Sequence, residues 1–368
     1  MSAAEFKIQN QGFDHVEFIV RKISEREGVY TRMGFEKIGE RRSENRGTRT
    51  VVYAQGYVRI LLTESLGLPQ SKSDKAVQFL DAQDEGVCVL AVDVSDAKAA
   101  YQATLANGAR SAMEPKTIET TEGRLVRAEI WTPGNLRYAF IERKSSKSLT
   151  SGFLFDEDLI VSRLESPSPF GIRVIDHLTN NVSIGEMKKW VEFYKKVFDF
   201  TVTRHFNITT GRTGLISDVV QSRDFKITVP INEATEPASQ VQEFVERLKG
   251  PGVQHLAFLT TGIIDTLSKL RANGFKFLTV PHSYYEVVPT RVPGVTEDLN
   301  QLEDLGILLD GEGEGYLLQI FSEEILGPFF FEFIQRKGNK GFGEGNFKAL
   351  FEAIERDQVR RGVLSASS

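Results

Sequence analysis

Apolar and polar residues follow a regular pattern along this chain. Short apolar or alternating runs predict strands at about 13–20, 87–94, 174–180 and 253–260. Amphipathic stretches after them predict helices at 22–33, 95–107, 184–197 and 263–273. Further strands continue to FIERK at 140–144 and FIQRK at 333–337. The order of strand, helix and strands occurs twice in each half, so the pattern predicts an α+β fold of βαβββ units.

The two halves of the chain also resemble each other in sequence. FDHV at 13–16 resembles IDHL at 175–178, EGVCVLAV at 85–92 resembles PGVQHLAF at 251–258, and FIERK resembles FIQRK. So long a repeat indicates two copies of one domain rather than a solenoid. The second copy is longer, and its extra residues fall in a loop-like stretch from about Pro281 to Gly315. We predict an N-terminal domain over 1–150, a Ser/Pro-rich linker over 151–170 and a C-terminal domain over 171–368.

The end of the chain predicts a helix from Phe347 to Arg361. Asn346 can cap it, and its apolar stripe consists of Phe347, Leu350, Phe351 and Ile354. Glycines at 341, 343 and 345 precede it and can act as hinges. We therefore expect this helix to serve as a lid over a pocket.

Glu332 is a carboxylate inside an aromatic run, FFFEF at 329–333. In a strand, Phe331 and Phe333 face one way while Phe330 and Glu332 face the other. A carboxylate beside buried aromatic rings must be paired, protonated or bound to a metal. On this stretch alone, a strand that turns Glu332 to solvent is an equally good interpretation.

Comparison of the two copies distinguishes residues that the fold needs from residues that are candidates for a chemical role. Three positions of the second copy carry residues that bind metals, His177, His255 and Glu332, where the first copy has His15, Val89 and Ala139. Two histidines and one carboxylate form the facial triad that holds Fe(II) and leaves coordination positions open. A metal would also neutralise Glu332. A lone histidine is more often a core or surface residue, and we interpret His15, His205 and His282 in that way.

Composition limits the classes of protein to consider. The chain has 368 residues, 40% of them apolar, which is enough for more than one core. No apolar run approaches the length of a membrane span, so we expect no membrane partner. The mixed charges, with a net charge of −5, argue against nucleic-acid binding. One cysteine and an N-terminus without an apolar signal core lead us to expect a cytoplasmic protein.

The longest motifs resemble one family. DHL at 176–178, VQHLAF, LLQIF at 317–321, FFFEFIQRKG and the tail GFGEGNFKALFEAIERDQVRRGVL are similar to the 4-hydroxyphenylpyruvate dioxygenases of the vicinal-oxygen-chelate superfamily. The likeness covers essentially the whole chain and is strongest after residue 170. It implies tandem glyoxalase/bleomycin-resistance-like domains that form open barrels, with a C-terminal helix. Only the C-terminal domain would bind a metal.

The resemblance also implies an activity. With one Fe(II) per chain, 4-hydroxyphenylpyruvate and O2 would become homogentisate and CO2 in tyrosine and phenylalanine catabolism. Because the 2-oxo acid belongs to the substrate itself, no separate 2-oxo acid is needed. The resemblance further leads us to expect a homo-oligomer, either a dimer or a tetramer.

Carried over by motif, the resemblance assigns the site residues. The iron ligands would be His177, His255 and Glu332. The polar contacts to the reacting substrate would be Ser217, Asn232, Gln254 and Gln319, with Gln240 as a further substrate contact. The aromatic pocket walls would be Phe321, Phe330, Phe342 and Phe347, although ordinary core packing is equally expected for Phe321 and Phe330. Amides suit such a pocket because they donate and accept hydrogen bonds without adding charge.

Three alternatives stay open on the sequence. A 4-hydroxymandelate synthase would share the fold, triad and substrate but oxidise the benzylic carbon; PIN at 230–232 favours the homogentisate-forming branch. An extradiol ring-cleaving dioxygenase would share the triad type, but its group does not resemble the tail of this chain. A non-catalytic ligand-binding member of the fold is the third alternative. The complete triad argues against it, and iron titration would separate the two.

Overall fold

An eight-stranded sheet forms the framework of each half in the part of the chain that the computed structural model describes, which is residues 8, 10–68, 75–120, 123–145, 166–209, 214–312, 315–346 and 348–349. The N-terminal sheet consists of β1 (Asn10–Ile19), β2 (Glu36–Ser43), β3 (Thr48–Gln55), β4 (Val58–Ser65), β5 (Gly86–Val94), β6 (Arg110–Thr120), β7 (Gly123–Trp131) and β8 (Arg137–Ser145). Its helices are α1 (Glu27–Arg32), α2 (Lys75–Ala82) and α3 (Ala97–Ala106).

The C-terminal half repeats this plan. Its strands are β9 (Ile172–Val182), β10 (Thr201–Thr209), β11 (Gly214–Gln221), β12 (Thr228–Ala234), β13 (Gly252–Thr260), β14 (Leu308–Glu312), β15 (Gly315–Phe321) and β16 (Phe330–Lys337). Its helices are α4 (Met187–Phe198), α5 (Gln240–Leu248), α6 (Ile263–Ala272), α7 (His282–Tyr285), α8 (Val288–Arg291) and α9 (Leu299–Leu305).

Strand order confirms the sequence repeat. The N-terminal sheet runs β2-β3-β4-β1-β5-β8-β7-β6, and the C-terminal sheet runs β10-β11-β12-β9-β13-β16-β15-β14, so each strand has its counterpart eight strands later. Both halves contain two βαβββ units, as the hydrophobic pattern predicts. The sheets lie within residues 10–145 and 172–337, which is compatible with the predicted domain limits. Those limits stay a prediction, since residues 146–165 lie outside the described ranges.

Local sequence explains most of these helices. In α4, the apolar stripe Trp190, Val191, Tyr194, Val197 and Phe198 is buried against the sheet. The helix α3 begins where the Asp96 side chain accepts a hydrogen bond from the Ala99 amide, and α5 begins where Ser239 accepts one from Val241. The predicted helices at 95–107, 184–197 and 263–273 are therefore confirmed to within a few residues.

Two predictions about local structure differ from the observed elements. The helix expected over 22–33 is divided into a 3-10 turn, Ile23–Glu25, and α1, and the Ile23 amide at the start of the turn donates to the Glu64 carboxylate. The stretch expected to be a loop from about Pro281 to Gly315 contains α7, α8, α9 and β14. Its buried side chains, among them Tyr284 and Leu302, pack on the C-terminal sheet and so order it.

Two further predictions cannot be compared with the structure. The C-terminal helix from Phe347 to Arg361 and most of the linker lie outside the described residues, although Ser166 forms an antiparallel bridge with Gly56. Gly56 has a φ of +56°, and a Cβ there would lie 2.6 Å from the Ile172 carbonyl oxygen. Only glycine allows the two halves to approach so closely at this point. No helix in the described part of the chain combines the length and apolar character of a membrane span.

The largest core lies between the two sheets. Phe18 of β1 meets Phe329 edge to face with ring centroids 5.0 Å apart, and Phe35 lies 6.0 Å from Phe258 across the same interface. Phe331 and Phe333 are fully buried in this core, as the alternation along β16 predicts. Glu332 therefore points to the opposite face of the sheet, into the concave side of the C-terminal half.

Candidate metal centre

Three adjacent strands bring the candidate ligands together. His177 lies on β9, His255 on β13 and Glu332 on β16, which are neighbours in the sheet. Ala257 of β13 pairs with His177 on one side and with Glu332 on the other. Register shifts interrupt the pairing of β9 with β13 on either side of His177, and such bulges redirect side chains locally. The three side chains consequently converge on one point.

The geometry of this cluster suits a metal ion. The Nε2 atoms of His177 and His255 each lie 3.3 Å from Oε2 of Glu332. One ligand atom from each residue lies within 4.8 Å of the others, and all three residues are buried. Oε1 of Glu332 is buried without a hydrogen-bond partner among the described residues. An unsatisfied carboxylate oxygen facing two imidazole nitrogens is the arrangement that a bound cation would complete.

Outer hydrogen bonds orient both imidazoles. Nδ1 of His177 lies 2.8 Å from Oδ1 of Asp176, which also receives Arg336 at 2.6 Å. Nδ1 of His255 lies 3.0 Å from the amide oxygen of Gln254. Because Nδ1 donates in each case, Nε2 is the nitrogen that faces Glu332 and that can offer its lone pair to a metal. Such outer partners fix the tautomer and the ring orientation of metal-binding histidines.

The electrostatics of the cluster favour a positive charge at its centre. Burial raises the pKa of Glu332, but the two histidines outweigh it and lower that pKa to about 2. Burial lowers the pKa of His177, yet Glu332 and Asp176 raise it to about 9. The pKa of His255 is lowered, chiefly by burial. The site thus holds an ionised carboxylate and one neutral imidazole, and a proton on His177 or a divalent metal can balance the negative charge.

Aromatic rings surround the histidines. Phe330 stacks on His255 with ring centroids 5.0 Å apart and an interplanar angle of 22°. Phe342 meets the His177 ring edge to face at 5.2 Å, and Phe321 approaches His255 at 6.3 Å. These contacts limit rotation of both imidazoles and make the surroundings of the cluster apolar.

Seven of the predicted site residues line one small cavity with the cluster. They are His177, Ser217, Asn232, His255, Phe321, Glu332 and Phe342. Ser217 and Asn232 face each other across β11 and β12, and the Asn232 amide donates to Asn181 at 3.2 Å. The cavity volume is about 40 Å³. This volume holds only one or two water molecules, so a larger ligand requires the walls to move.

The other predicted residues lie elsewhere. Gln254 hydrogen-bonds His255 on the side away from Glu332 and is not part of the cavity lining. Gln240 is exposed at the first position of α5 and does not line the cavity. Gln319 is fully buried behind the lining, where its amide oxygen accepts from Asn346 and its Nε2 has no partner among the described residues. Phe330 contacts His255 without lining the cavity, and Phe347 lies outside the described residues.

Sequence reasoning missed other parts of the site. The cavity is also lined by Thr179, Phe206, Ile208, Leu215, Pro230 and Glu344. Leu215 lies two residues before Ser217 on β11, and Pro230 lies two residues before Asn232 on β12. Because residues two apart in a strand share a face, this spacing could have predicted that they line the same cavity. The ion pair of Asp176 with Arg336 was also missed. Its signal was present, because Asp-His and the Arg of FI(E/Q)RK occur in both copies.

The comparisons with known proteins agree with this architecture. Residues 5–143 match the family described as "Hydroxyphenylpyruvate dioxygenase, HPPD, N-terminal". Residues 174–287 match the "Glyoxalase/Bleomycin resistance protein/Dioxygenase superfamily". A solved structure of a triple mutant of 4-hydroxymandelate synthase from Streptomyces coelicolor superposes with a TM-score of 0.80 over 95% of this chain and 100% of that chain, at 24% identity. The fold is therefore the tandem glyoxalase-like fold that the sequence predicts.

Full-length relatives give the family. Hemolysin VllY of Vibrio vulnificus is 39% identical over 96% of both chains. 4-Hydroxyphenylpyruvate dioxygenase of Pseudomonas sp. is 40% identical over 96% of both chains, and the enzyme of the same name from Legionella pneumophila is 38% identical over 96% of both. Identity at this level over nearly the whole length, together with the N-terminal family match, shows that this chain belongs to the 4-hydroxyphenylpyruvate dioxygenase family.

Proposed function

We propose that this protein is an Fe(II)-dependent 4-hydroxyphenylpyruvate dioxygenase that converts 4-hydroxyphenylpyruvate and O2 to homogentisate and CO2. The observation that carries the proposal is the convergence, in a chain of this family, of two imidazole nitrogens and a buried carboxylate oxygen that has no hydrogen-bond partner in the described part of the chain. His177, His255 and Glu332 would hold one Fe(II) per chain. When bound, this iron supplies the activation of dioxygen and a binding point for the 2-oxo acid of the substrate.

The protein side chains would bind and orient the aromatic ring. Ser217 and Asn232 are buried on the cavity wall, where their hydroxyl and amide can hydrogen-bond a phenol without adding charge. Nε2 of Gln319, for which the described residues supply no hydrogen-bond partner, lies just behind this wall and would gain a partner if a substrate oxygen reached it. Holding the ring in one orientation favours attack at one ring carbon over competing outcomes.

Water exclusion is the second task that the side chains would perform. Phe321 and Phe342 close the cavity beside the histidines, and an ion pair between Glu344 and Arg204 at 3.0 Å lies next to them. The cavity of about 40 Å³ must widen to admit an aromatic 2-oxo acid. We infer that the segment from Gly341 to Asn346 moves outward on substrate entry and returns to keep water from the reacting atoms.

Product identification tests the proposal. The protein would be loaded anaerobically with Fe(II), mixed with 4-hydroxyphenylpyruvate and oxygen, and its aromatic product identified by chromatography. Homogentisate is the expected product. 4-Hydroxymandelate would instead assign the chain to the synthase alternative, whose fold it shares. Binding of iron without turnover would favour the non-catalytic alternative.

Metal stoichiometry supplies a readout that does not depend on activity. Wild-type protein should bind one Fe(II) per chain, and Glu332→Ala should bind it much more weakly while staying folded, since the first copy folds with Ala139 at the paired position. His15→Ala is the matched control and should leave iron binding unchanged. Homo-oligomeric assembly and a cytoplasmic location belong to the same proposal. Sedimentation and cell fractionation would test them.

A further inference from the structure

An inserted segment distinguishes the C-terminal half from the N-terminal half. In the N-terminal half, α3 ends at Ala106 and β6 begins at Arg110. In the C-terminal half, the equivalent helix α6 ends at Ala272 and β14 begins only at Leu308, so this connection is much longer and contains α7, α8 and α9. We call residues 273–307 the inserted segment. None of the three candidate metal ligands lies in it, so its role has to be found in other contacts.

Two side chains of the inserted segment reach Asn346. Tyr284 of α7 is fully buried, and its hydroxyl lies 2.5 Å from Oδ1 of Asn346. Arg291 of α8 donates to the same oxygen through Nη2 at 3.1 Å and Nη1 at 3.2 Å, and its guanidinium lies over the Tyr284 ring, 5.0 Å from the centroid. Asn346 follows Phe342 and Glu344, which line the cavity beside the metal cluster. The inserted segment therefore holds the chain directly after two residues of the cavity wall.

Arg291 determines which way the Asn346 amide points. A guanidinium only donates hydrogen bonds, so the Asn346 atom that faces it must be the oxygen. The Tyr284 hydroxyl also offers its proton to this oxygen, because its lone pairs accept from Arg291 at 2.6 Å and from the Leu309 amide at 2.8 Å. Burial raises the pKa of Tyr284 to about 12, although Arg291 opposes the rise, so the hydroxyl stays protonated at neutral pH. Asn346 consequently turns its NH2 group to the opposite side.

The orientation of Asn346 in turn fixes that of Gln319. Nδ2 of Asn346 donates to Oε1 of Gln319 at 3.3 Å. Because an amide NH2 group only donates, the Gln319 atom that faces it must be the oxygen. Nε2 of Gln319 then lies at the other end of the amide, where it is buried and has no hydrogen-bond partner among the described residues. Arg291 therefore sets the direction of the Gln319 amide through Asn346.

Gln319 belongs to the face of the sheet that carries the cavity. It lies two residues before Phe321 on β15, so the two side chains share a face of the strand. Phe321 lines the cavity and pairs with Glu332. A Cβ at Gly343 would lie 1.7 Å from Oε1 of Gln319, so the backbone next to the cavity-lining Phe342 packs directly on this amide. A buried donor on this face, left without a partner by the described residues, is suited to an acceptor atom of a ligand.

The N-terminal half provides a comparison. Register places Arg127 of β7 at the position equivalent to Gln319 of β15. Arg127 donates to Glu129 at 2.7 Å, and a guanidinium presents donors whichever way it is turned. The short connection between Ala106 and Arg110 holds no counterpart of α7 or α8. The inserted segment thus occurs in the half in which this position carries an amide, whose two ends differ in hydrogen-bonding character.

We propose that Arg291 and Asn346 are positioning residues that hold the Gln319 amide with Nε2 as a hydrogen-bond donor to the ligand in the cavity. The ligand atom recognised is an acceptor, of the carboxylate, keto or phenol oxygen class. The inference rests on the proposed function for the identity of that ligand, 4-hydroxyphenylpyruvate. The orientation of the amide is a property of the protein alone.

Neutron diffraction of the iron-loaded protein tests the orientation without ligand or turnover. Nitrogen, oxygen and deuterium scatter neutrons differently, so the two ends of an amide are distinguished, which X-ray data at ordinary resolution do not allow. In the wild type, Oε1 of Gln319 should face Asn346. In Asn346→Asp both carboxylate oxygens accept, so the Gln319 amide should rotate and present Nε2 to position 346. The same orientation in both proteins, or Nε2 facing Asn346 in the wild type, would overturn the proposal.

A double-mutant cycle connects this orientation with ligand binding. The affinity of Fe(II)-loaded protein for 4-hydroxyphenylpyruvate would be measured in the absence of oxygen. Asn346→Asp should weaken binding about tenfold or more, because the amide oxygen of Gln319 would then face an oxygen of the ligand. In a Gln319→Met background the same substitution should change the Kd less than about twofold, since no amide is left to rotate. Equal weakening in the two backgrounds would show a merely structural role and overturn the proposal.

Two further variants complete the test. Arg291→Lys keeps a group that only donates and should retain more affinity than Arg291→Met, which frees the Asn346 amide to rotate. If Asn346→Asp is unstable, Arg291→Met in the two Gln319 backgrounds provides the same cycle. Asn300→Asp is the matched control, because it adds the same negative charge at an exposed position of α9, and it should leave the affinity unchanged. Failure of the wild type to bind 4-hydroxyphenylpyruvate would contradict the proposed function, whereas the neutron result decides the orientation independently of it.

Discussion

Asp176→Asn tests whether the outer hydrogen bonds of the site control metal binding. Asp176 accepts from His177 Nδ1 at 2.8 Å and receives Arg336 through two contacts of 2.8 and 2.6 Å. Asparagine keeps nearly the same shape and can still accept one hydrogen bond. It removes the negative charge that makes the His177 imidazole a stronger ligand.

The expected effect is substantial but not total. Loss of an outer partner of a metal-binding histidine costs about 10–100-fold in metal affinity, or about 1.4–2.7 kcal/mol. Because asparagine preserves the orientation of the ring, we expect a value near the lower end. The variant should still bind Fe(II), only more weakly, and should recover activity when the free metal concentration is raised.

The repeat supplies an internal control. In the N-terminal half, Asp14 contacts His15 at 2.5 Å and pairs with Arg143 in the same arrangement, but the described residues place no group of candidate metal ligands around them. Asp14→Asn should therefore lower the thermal stability, because it removes the negative charge that contacts the buried Arg143 guanidinium, at a cost of up to about 3–5 kcal/mol. It should leave metal affinity unchanged. Asp199→Asn, at an exposed ion pair with Arg223, controls for the loss of one surface charge.

Metal affinity would be measured by competition with a chromogenic chelator, alongside thermal unfolding of each variant. Two results would refute the reasoning. The first is a metal affinity of Asp176→Asn within about threefold of that of the wild type, which is below the range for an outer partner. The second is equal weakening of metal binding by Asp14→Asn and Asp176→Asn, which would show that the effect arises from overall stability.

Three further predictions concern the substrate contacts and the N-terminal ion cluster. Asn232→Ala should uncouple the reaction, so that carbon dioxide release exceeds homogentisate formation; an equal fall in both would contradict its role in orienting the ring. Gly343→Ala should weaken substrate binding without loss of iron, because φ is +75° there and a Cβ would overlap the Gln319 amide, whereas Gly262→Ala meets open space and should change nothing. If Gly343→Ala and Gly262→Ala have the same KM, Gly343 does not contribute to substrate binding. Burial raises the pKa of Glu129, but two neighbouring arginines lower it from 4.5 to about 2. Its contribution of about 3 kcal/mol should therefore be present above pH 4.5 and be lost as the pH falls towards 2. The free energy of unfolding would be measured in urea between pH 6 and pH 3 for the wild type and Glu129→Gln. An identical pH dependence in the two proteins would contradict this prediction.

Much of the fold and of the metal cluster could be predicted from the sequence because these features depend on local pattern and on repetition. The alternation of residues around Glu332 predicted which face of the sheet this side chain occupies, since successive side chains in a strand point to opposite faces in any fold. Comparison of the two copies identified His255 and Glu332 as candidate metal ligands. Val89 and Ala139 at the equivalent positions show that the fold itself does not require a histidine or a glutamate there. These conclusions required no knowledge of which strands are neighbours.

The tertiary structure decided the features that join residues distant in the chain. Asp176 and Arg336 are 160 positions apart, and although each recurs in both copies, only the folded sheet brings the two side chains together as an ion pair. Gln254 precedes His255, and at the bulged pairing of β9 with β13 its amide oxygen lies 3.0 Å from Nδ1 of His255, a contact that its position in the sequence did not predict. Such register shifts depend on contacts with the neighbouring strand, which a single strand sequence does not contain.

A cavity in the N-terminal half shows the same division most clearly. Its lining arginines and lysines are spread from Arg41 to Arg137 over four strands, one helix and one turn, and along the chain they are ordinary surface charges. Only the closure of the duplicated sheet places them around one space. Sequence alone determined that this copy lacks two of the three candidate metal ligands, because that is a matter of residue identity. Which side chains share the cavity there was decided by tertiary structure, because a cavity lining consists of residues brought together in space.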